Sequence, residues 1–161
     1  MATGKLVCDE HDIHSAALCA WKEARGEGAT GMLAVLNVLK NRVGFTGFAS
    51  TLHDVIYGKN QFTSMSVAKD PQFNLEPKED DESWSYSSKA AQEIFGAQKD
   101  ISVADPSAVL AESEFSKDIT NGAHFYANLH TMDKGGWFER NIVLSRTHHI
   151  TAQIGKHTFF E

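Results

Sequence analysis

The sequence predicts an α+β fold, a helical body followed by a small antiparallel sheet formed mainly by the C-terminal third. Before Gly122 the apolar residues recur at helical spacing in three long stretches, residues 12–25, 30–43 and 84–97. Past Gly122 the chain changes to short segments rich in β-branched and aromatic residues, 123–127, 141–145 and 148–154. They are separated by the turn-forming Asp133-Lys134-Gly135-Gly136 and by Gly155. Helices in one part and strands in another make an α+β layer arrangement. At 161 residues, 42% hydrophobic and 22% charged, the chain is composed like a folded globular protein. It reads as one domain, 1–161, with residues 1–11 as an N-terminal extension.

The first helix is set by Ile13, Ala16, Ala17, Ala20 and Ala24, which fall on one stripe flanked by Leu18, Cys19 and Trp21. Asp9 or Asp12 caps its start, and Gly26 and Gly28 end it. The second helix carries Met32, Leu33, Ala34, Val35, Leu36, Val38, Leu39 and Val43, apolar nearly all round, as a central buried helix is. Gly44 to Gly47 close it, and Leu52 to Tyr57 form a further short helix. Pro71, Pro77 and the acids Glu76, Glu79, Asp80, Asp81 and Glu82 mark residues 70–83 as an exposed loop. Ala91, Ile94 and Phe95 set the third long helix, which stops near Gly96. Pro106 lies in a second loop, and Val109 to Phe115 read as a short helical turn.

The charge balance is 15 Lys plus Arg against 21 Asp plus Glu, a net −6. Phosphate binding needs a basic footprint, so nucleic acid is excluded as the main partner, and an anionic membrane surface is disfavoured. No apolar run reaches the length that spans a bilayer, so no membrane anchor is expected. Much of the excess acid lies in 9–12 and 76–82, where it describes a solvated surface. Two cysteines, Cys8 and Cys19, make no disulfide framework. Asp9, Glu10, His11 and Asp12 stand where a signal peptide would be apolar, so no signal peptide is expected: the chain is cytoplasmic when made, or is cut from a longer precursor. A compact single domain is expected to be a monomer.

The sharpest chemical candidate is Glu23-Ala24-Arg25-Gly26-Glu27. At about 100° per residue, Glu23 projects beside Ala16, at the edge of the apolar stripe. A carboxyl half-withdrawn from water resists ionisation and stays protonated to higher pH. Cleavage of a glycosidic bond needs such an acid, because the leaving oxygen must receive a proton. Projection alone does not choose between Glu23 and Glu27, which lies deeper in the stripe if the helix continues through Gly26. A structural alternative stands beside both, an ion pair with Arg25 or Arg42.

Several stretches share their pattern with one family. They are Trp21 to Glu27, Gly31 to Val43, Gln61-Phe62-Thr63, Gly122-Ala123-His124-Phe125-Tyr126 and Ile154-Gly155-Lys156-His157-Thr158-Phe159-Phe160. In this order, from about Ala16 to the C-terminus, they resemble the SleB-type cell-wall hydrolase family, the catalytic domain of spore-cortex-lytic enzymes. The resemblance implies a lysozyme-like fold and cleavage of the glycan strands of bacterial peptidoglycan, by a lytic transglycosylase or muramidase route and without a cofactor or metal. It places the catalytic glutamate, a general acid/base, at Glu23 and leaves Glu27 a supporting role. A bare catalytic domain without an export signal fits a bacteriophage endolysin, made in the host cytoplasm and acting on the wall after release, and equally a bacterial enzyme expressed without its leader. Phe160 stands where the family tends to have Tyr.

Gln61, His124, Tyr126 and Trp137 are the candidates for binding the glycan, since aromatic faces stack on sugars and amide or imidazole groups orient hydroxyls. Core packing is the alternative for Tyr126 and Trp137, and the favoured reading for Phe62, Phe125 and Phe159. Asn37 and Asn41, the amides of an apolar helix, are read as satisfying buried backbone. Two other functions compete. A zinc-dependent N-acetylmuramoyl-L-alanine amidase would draw on His124, His130, His148, His149 and His157, and Cys8, His11, His14 and Cys19 form a weaker ligand set. A non-catalytic glycan-binding module would need no acid at all.

Overall fold

The computed structural model describes residues 8–96, 114–115 and 117–161. Helix α1, Glu10–Ala24, begins with a capping box. Asp9 Oδ1 accepts from the Asp12 backbone N–H at 2.8 Å, and Asp12 Oδ2 accepts from that of Asp9 at 3.3 Å. The helix ends because Ala24 leaves helical geometry at φ −141°, and a 3₁₀ turn, Arg25–Glu27, follows. Gly28, at φ +77°, then redirects the chain into helix α2, Gly28–Arg42.

Met32, Leu33, Ala34, Val35, Leu36, Val38 and Leu39 are all buried, as a helix without a solvent face requires. Helices α1 and α5 (Glu82–Phe95, capped by Asp81) pack with α2 on one side. On its other side Ala34 and Val38 meet Ala123 and Phe159 of the sheet region. The short helices α3 (Leu52–Tyr57) and α4 (Thr63–Ser66) cover α1; α4 had no signature in the sequence.

The sheet has three antiparallel strands, β1 (Phe125–Ala127), β2 (Ile150–Ile154) and β3 (His157–Phe160), in the order β1-β3-β2. Tyr126 lies opposite Phe159, and Ile154 opposite His157 across the Gly155-Lys156 loop. Gly155 has φ +58°, the positive value that a two-residue hairpin loop needs at its first position.

The expected strand at 141–145 is absent. Residues Glu139–Val143 form a π-helical turn in which only Ile142 is buried. Its polar groups are satisfied locally: Asn141 Nδ2 donates to the Trp137 carbonyl at 2.8 Å, and Arg140 N–H to the Gly136 carbonyl at 3.2 Å. The third strand is the chain's last segment, whose Thr158, Phe159 and Phe160 are all buried between the other two strands and the helical body. A short apolar run does not reveal its own period, and this was the cost of reading one. The expected turn 109–115 and the loop at Pro106 lie almost wholly outside the described residues.

Candidate active site

Where the helical body meets the sheet, a cleft of about 500 Å3 opens between the α2 C-terminus, the segment before α4, strand β1 and the turn at Trp137-Phe138. Glu23, in the last turn of α1, supplies the only carboxyl group among the lining residues. It is half-withdrawn from water, and Ser64 Oγ, itself buried, donates to Glu23 Oε1 at 2.9 Å. Burial pushes the Glu23 carboxyl above its ordinary range. The Ser64 hydrogen bond and the charge of Arg42 act against that, while the negative charge of Asp70 adds to it. Asp70 is itself held by Thr63 Oγ1 at 2.5 Å and the Gln72 backbone N–H at 2.8 Å.

Lys22, the neighbour of Glu23, faces the other way and is buried. Its ammonium donates to the carbonyls of Phe73 at 2.7 Å and Ser64 at 3.3 Å. The residue that presents a hydroxyl to Glu23 is thereby tied to the helix that carries Glu23.

Arg42 ends α2 with its guanidinium buried against the cleft. Nε donates to the His124 carbonyl at 2.7 Å and Nη1 to Gln61 Oε1 at 3.3 Å. The cation sits 5.0 Å from the Phe48 ring centroid and 5.2 Å from that of Phe62. Neither Glu23 nor Glu27 forms an ion pair with Arg25 or Arg42; among the described residues the ion pair present is His149–Glu161. Arg25 instead lies over Trp21 at 4.2 Å and donates to the Trp21 and Lys22 carbonyls.

Glu27 is elsewhere. Because α1 breaks at Ala24, Glu27 does not continue the stripe, and it does not line the cleft. Its Oε2 accepts from the Lys156 backbone N–H at 3.1 Å, pinning the β2–β3 hairpin to the 3₁₀ turn.

Gln61, Tyr126 and Trp137 line the cleft with Glu23. Trp137 is 60% exposed, which sets it apart from the core. Tyr126 packs on Phe159, 5.5 Å between ring centroids. Burial raises its phenol well above the ordinary value, and the charge of Glu23 adds to that, so the hydroxyl stays protonated. His124 is not brought to the cleft. Its ring stacks on Phe45 at 3.7 Å, and only its carbonyl serves the site, by holding Arg42. Burial holds the His124 and His157 imidazoles below their usual value.

Phe62 and Phe159 are buried core residues as expected, though Phe62 also lines the cleft, as does the half-buried Phe125. Asn37 accepts from the Ile119 N–H at 3.1 Å, and Asn41 donates to Asp118 and the Ala123 carbonyl, the structural role expected of both. Among the described residues no three His, Cys, Asp or Glu side chains converge to hold a metal ion. Ser64, Lys22 and Arg42 were missed. Only Arg42 left a trace in the sequence, as a cation ending an otherwise apolar helix.

The cleft thus brings a single half-buried carboxyl group together with aromatic rings, amides and a guanidinium. The sequence profile of the cell wall hydrolase family matches residues 26–160, and the chain belongs to that family. The matched stretch starts at Gly26, after Glu23.

Among solved structures the chain is similar to the catalytic domain of the germination-specific lytic transglycosylase SleB from Bacillus anthracis. Identity is 25%, the TM-score is 0.63, and all of both chains is covered. The catalytic domain of the Bacillus cereus SleB protein has the same fold at 24% identity, with a TM-score of 0.65 and full coverage of both chains. No curated protein matches. The architecture is the lysozyme-like one, a helical body with a small three-stranded sheet near the C-terminus.

Proposed function

We propose that this protein cleaves the glycan strand of bacterial peptidoglycan as a lytic transglycosylase, with Glu23 as its one general acid and base. The observation that carries the reading is the solitary carboxyl of Glu23 in the cleft, withdrawn from water and hydrogen-bonded by Ser64. Protonated Glu23 gives its proton to the glycosidic oxygen as the bond from the muramyl C1 to that oxygen breaks. The resulting carboxylate then takes the proton of the same sugar's 6-hydroxyl while O6 bonds to C1. A 1,6-anhydro ring closes, Glu23 is protonated again, and no water is consumed.

The two-carboxylate hydrolytic routes require a second acid at a fixed separation. None of the other lining residues is acidic, and Glu27 is committed to the hairpin. Arg42 favours the transient Glu23 anion between the two proton transfers. Tyr126, Trp137 and Gln61 hold the sugars, by stacking and by hydrogen bonds.

Mass spectrometry of fragments released from purified peptidoglycan tests the reaction. Anhydro-muramic ends are expected; reducing muramic ends would make the enzyme a muramidase, and freed stem peptides would make it an amidase. Glu23→Gln should lower wall lysis by about 10²–10⁴-fold or more, the usual contribution of a positioned acid. Full lysis by a folded Glu23→Gln protein overturns the assignment and leaves a second group, or plain glycan binding, to be considered.

A further inference from the structure

Beside the cleft lies a second cavity of about 200 Å3, and Phe48 and Gln61 line both. The two spaces therefore share a wall. Lys59 lines the second cavity and its neighbour Asn60 the cleft, the chain being turned between them at Asn60, φ +62°. The turn is tightly built. Gln61 N–H donates to the Gly58 carbonyl at 3.1 Å, and a Cβ on Gly58 would stand 2.6 Å from the Asp54 carbonyl oxygen. Asp54, Lys59 and Gln61 are thus held in a fixed relation by one short helix end and its turn.

The cavity's chemistry differs from that of the cleft. Val55 and Ala49 give it an apolar wall, and Asp54 and Lys59 bring opposite charges to its rim, both exposed. The two are not paired with each other or with another charged group, since among the described residues the ion pair present is His149–Glu161. A cavity of this size has room for several waters, each of about 30 Å3 in the liquid, and hence for an amino-acid side chain.

A neutral sugar makes no use of two opposite charges. A muramyl residue in peptidoglycan, however, carries a peptide branch sideways from its lactyl ether, and that branch bears carboxylate and ammonium groups. A groove that accepts the strand must either turn this branch out to solvent or give it a side cavity. We infer that the Asp54–Lys59 cavity receives the peptide branch of the muramyl residue seated in the cleft, Lys59 meeting a carboxylate and Asp54 an ammonium group. The protein then prefers peptide-bearing strands to bare glycan. This rests on the proposed glycan cleavage and adds the form of the substrate to it.

Contacts between exposed charges are individually modest, about twofold to fivefold each in binding. The test compares the rate on purified peptidoglycan strands with the rate on the same strands after their peptides have been removed by an amidase. The wild-type protein should cleave the peptide-bearing strand faster. The double variant Asp54→Asn with Lys59→Met should lose about tenfold of that advantage in kcat/KM, from the two contacts together, while its rate on stripped glycan stays unchanged. The stripped glycan is the internal control for folding, supported by the thermal midpoint of each protein.

Equal wild-type rates on both substrates overturn the inference. So does a double variant slowed equally on both, which is the behaviour of a further sugar subsite or of local misfolding. If neither substrate is cleaved, the glycan-cleavage reading fails and takes this one with it. Cleavage of stripped glycan without a peptide advantage sinks the inference and leaves that reading standing.

Discussion

Replacing Gly155 with Ala separates a structural Glu27 from a chemical one. Gly155 begins the β2–β3 loop at φ +58°, and a Cβ there would stand 2.1 Å from Glu27 Oε2. Two costs follow. An L-residue at positive φ costs about 1–2 kcal/mol. The displaced carboxylate also gives up its hydrogen bond from the Lys156 N–H, worth about 0.5–1.5 kcal/mol net. Gly155→Ala should therefore destabilise by about 2–3 kcal/mol, which for a chain of 161 residues lowers the melting midpoint by about 4–12 °C.

Glu27→Ala removes the same hydrogen bond and also the obstacle. In that background Gly155→Ala should cost only its backbone strain, so the double variant falls short of the sum of the singles by about 1 kcal/mol or more. Thermal and denaturant melts of the four proteins give the cycle, and lysis of purified walls well below each midpoint gives the chemistry. Additivity within about 0.5 kcal/mol would show that carboxylate and hairpin are not coupled. A fully folded Glu27→Ala protein without lytic activity would refute the reasoning from the other side, by making Glu27 part of the reaction.

Three further outcomes are expected. Ser64→Ala deletes the hydrogen bond that favours the Glu23 anion, so the alkaline limb of the pH–rate profile should move to higher pH; an unmoved limb, or one moved down, contradicts the assigned pair. Glu23→Gln should raise stability in alkaline solution. The native carboxyl binds its proton more tightly than the unfolded one, whose pKa is about 4.3, so native stability falls as pH rises from there through the folded value. The gain over the native protein should be clear in melts at about pH 8 and vanish at about pH 3.5, below the unfolded value; equal gains at both would point to packing instead. Asp118→Ala removes the acceptor of the Thr120 hydroxyl and of the Thr120 and Gly122 N–H groups, and one of the acceptors of the Asn41 amide, at about 1–3 kcal/mol. Burial raises the Asp118 carboxyl, but these hydrogen bonds outweigh it and hold it below the usual range. The native protein should therefore lose this contribution as pH falls through that lowered value, and the gap between the two proteins should narrow in acid, as melts across acidic pH would show.

The helical half was legible because its periods are long and its ends are marked. The alanine stripe of α1, the unbroken apolar surface of α2 and the glycines between them each have one physical solution, and the structure adopts it within one or two residues. The sheet was half legible. The strands expected over Ala123 to Ala127 and His148 to Ile154 form as Phe125 to Ala127 and Ile150 to Ile154, but Asn141 to Ser145 was given the place that His157 to Phe160 fills. Both segments are short and apolar. What separates them is register, because His157 to Phe160 can pair with strands on both sides while the other segment satisfies its polar groups against Trp137 and Gly136. That choice is made by tertiary pairing and leaves no local trace.

The site divides in the same way, and the division explains how an acidic chain comes to hold a carboxyl of raised proton affinity. Glu23 was legible because helical projection set it at the edge of an apolar stripe, and burial there is what raises its proton affinity. Projection could not distinguish Glu27, because the choice depends on whether α1 continues through Gly26; the break at Ala24 leaves Glu23 at the cleft and turns Glu27 to the β2–β3 hairpin. The residues that tune Glu23 come from distant segments: Ser64 and Asp70 from a stretch without pattern, Arg42 from the far end of α2. No spacing rule joins them. Their influence reaches the cleft through burial and a few hydrogen bonds, whereas Glu76, Glu79, Asp80 and Glu82 stay out in solvent, where screening leaves little of their field. The net charge of −6 therefore bears on how the protein approaches a wall. The protonation of Glu23 is governed by the few groups packed around it.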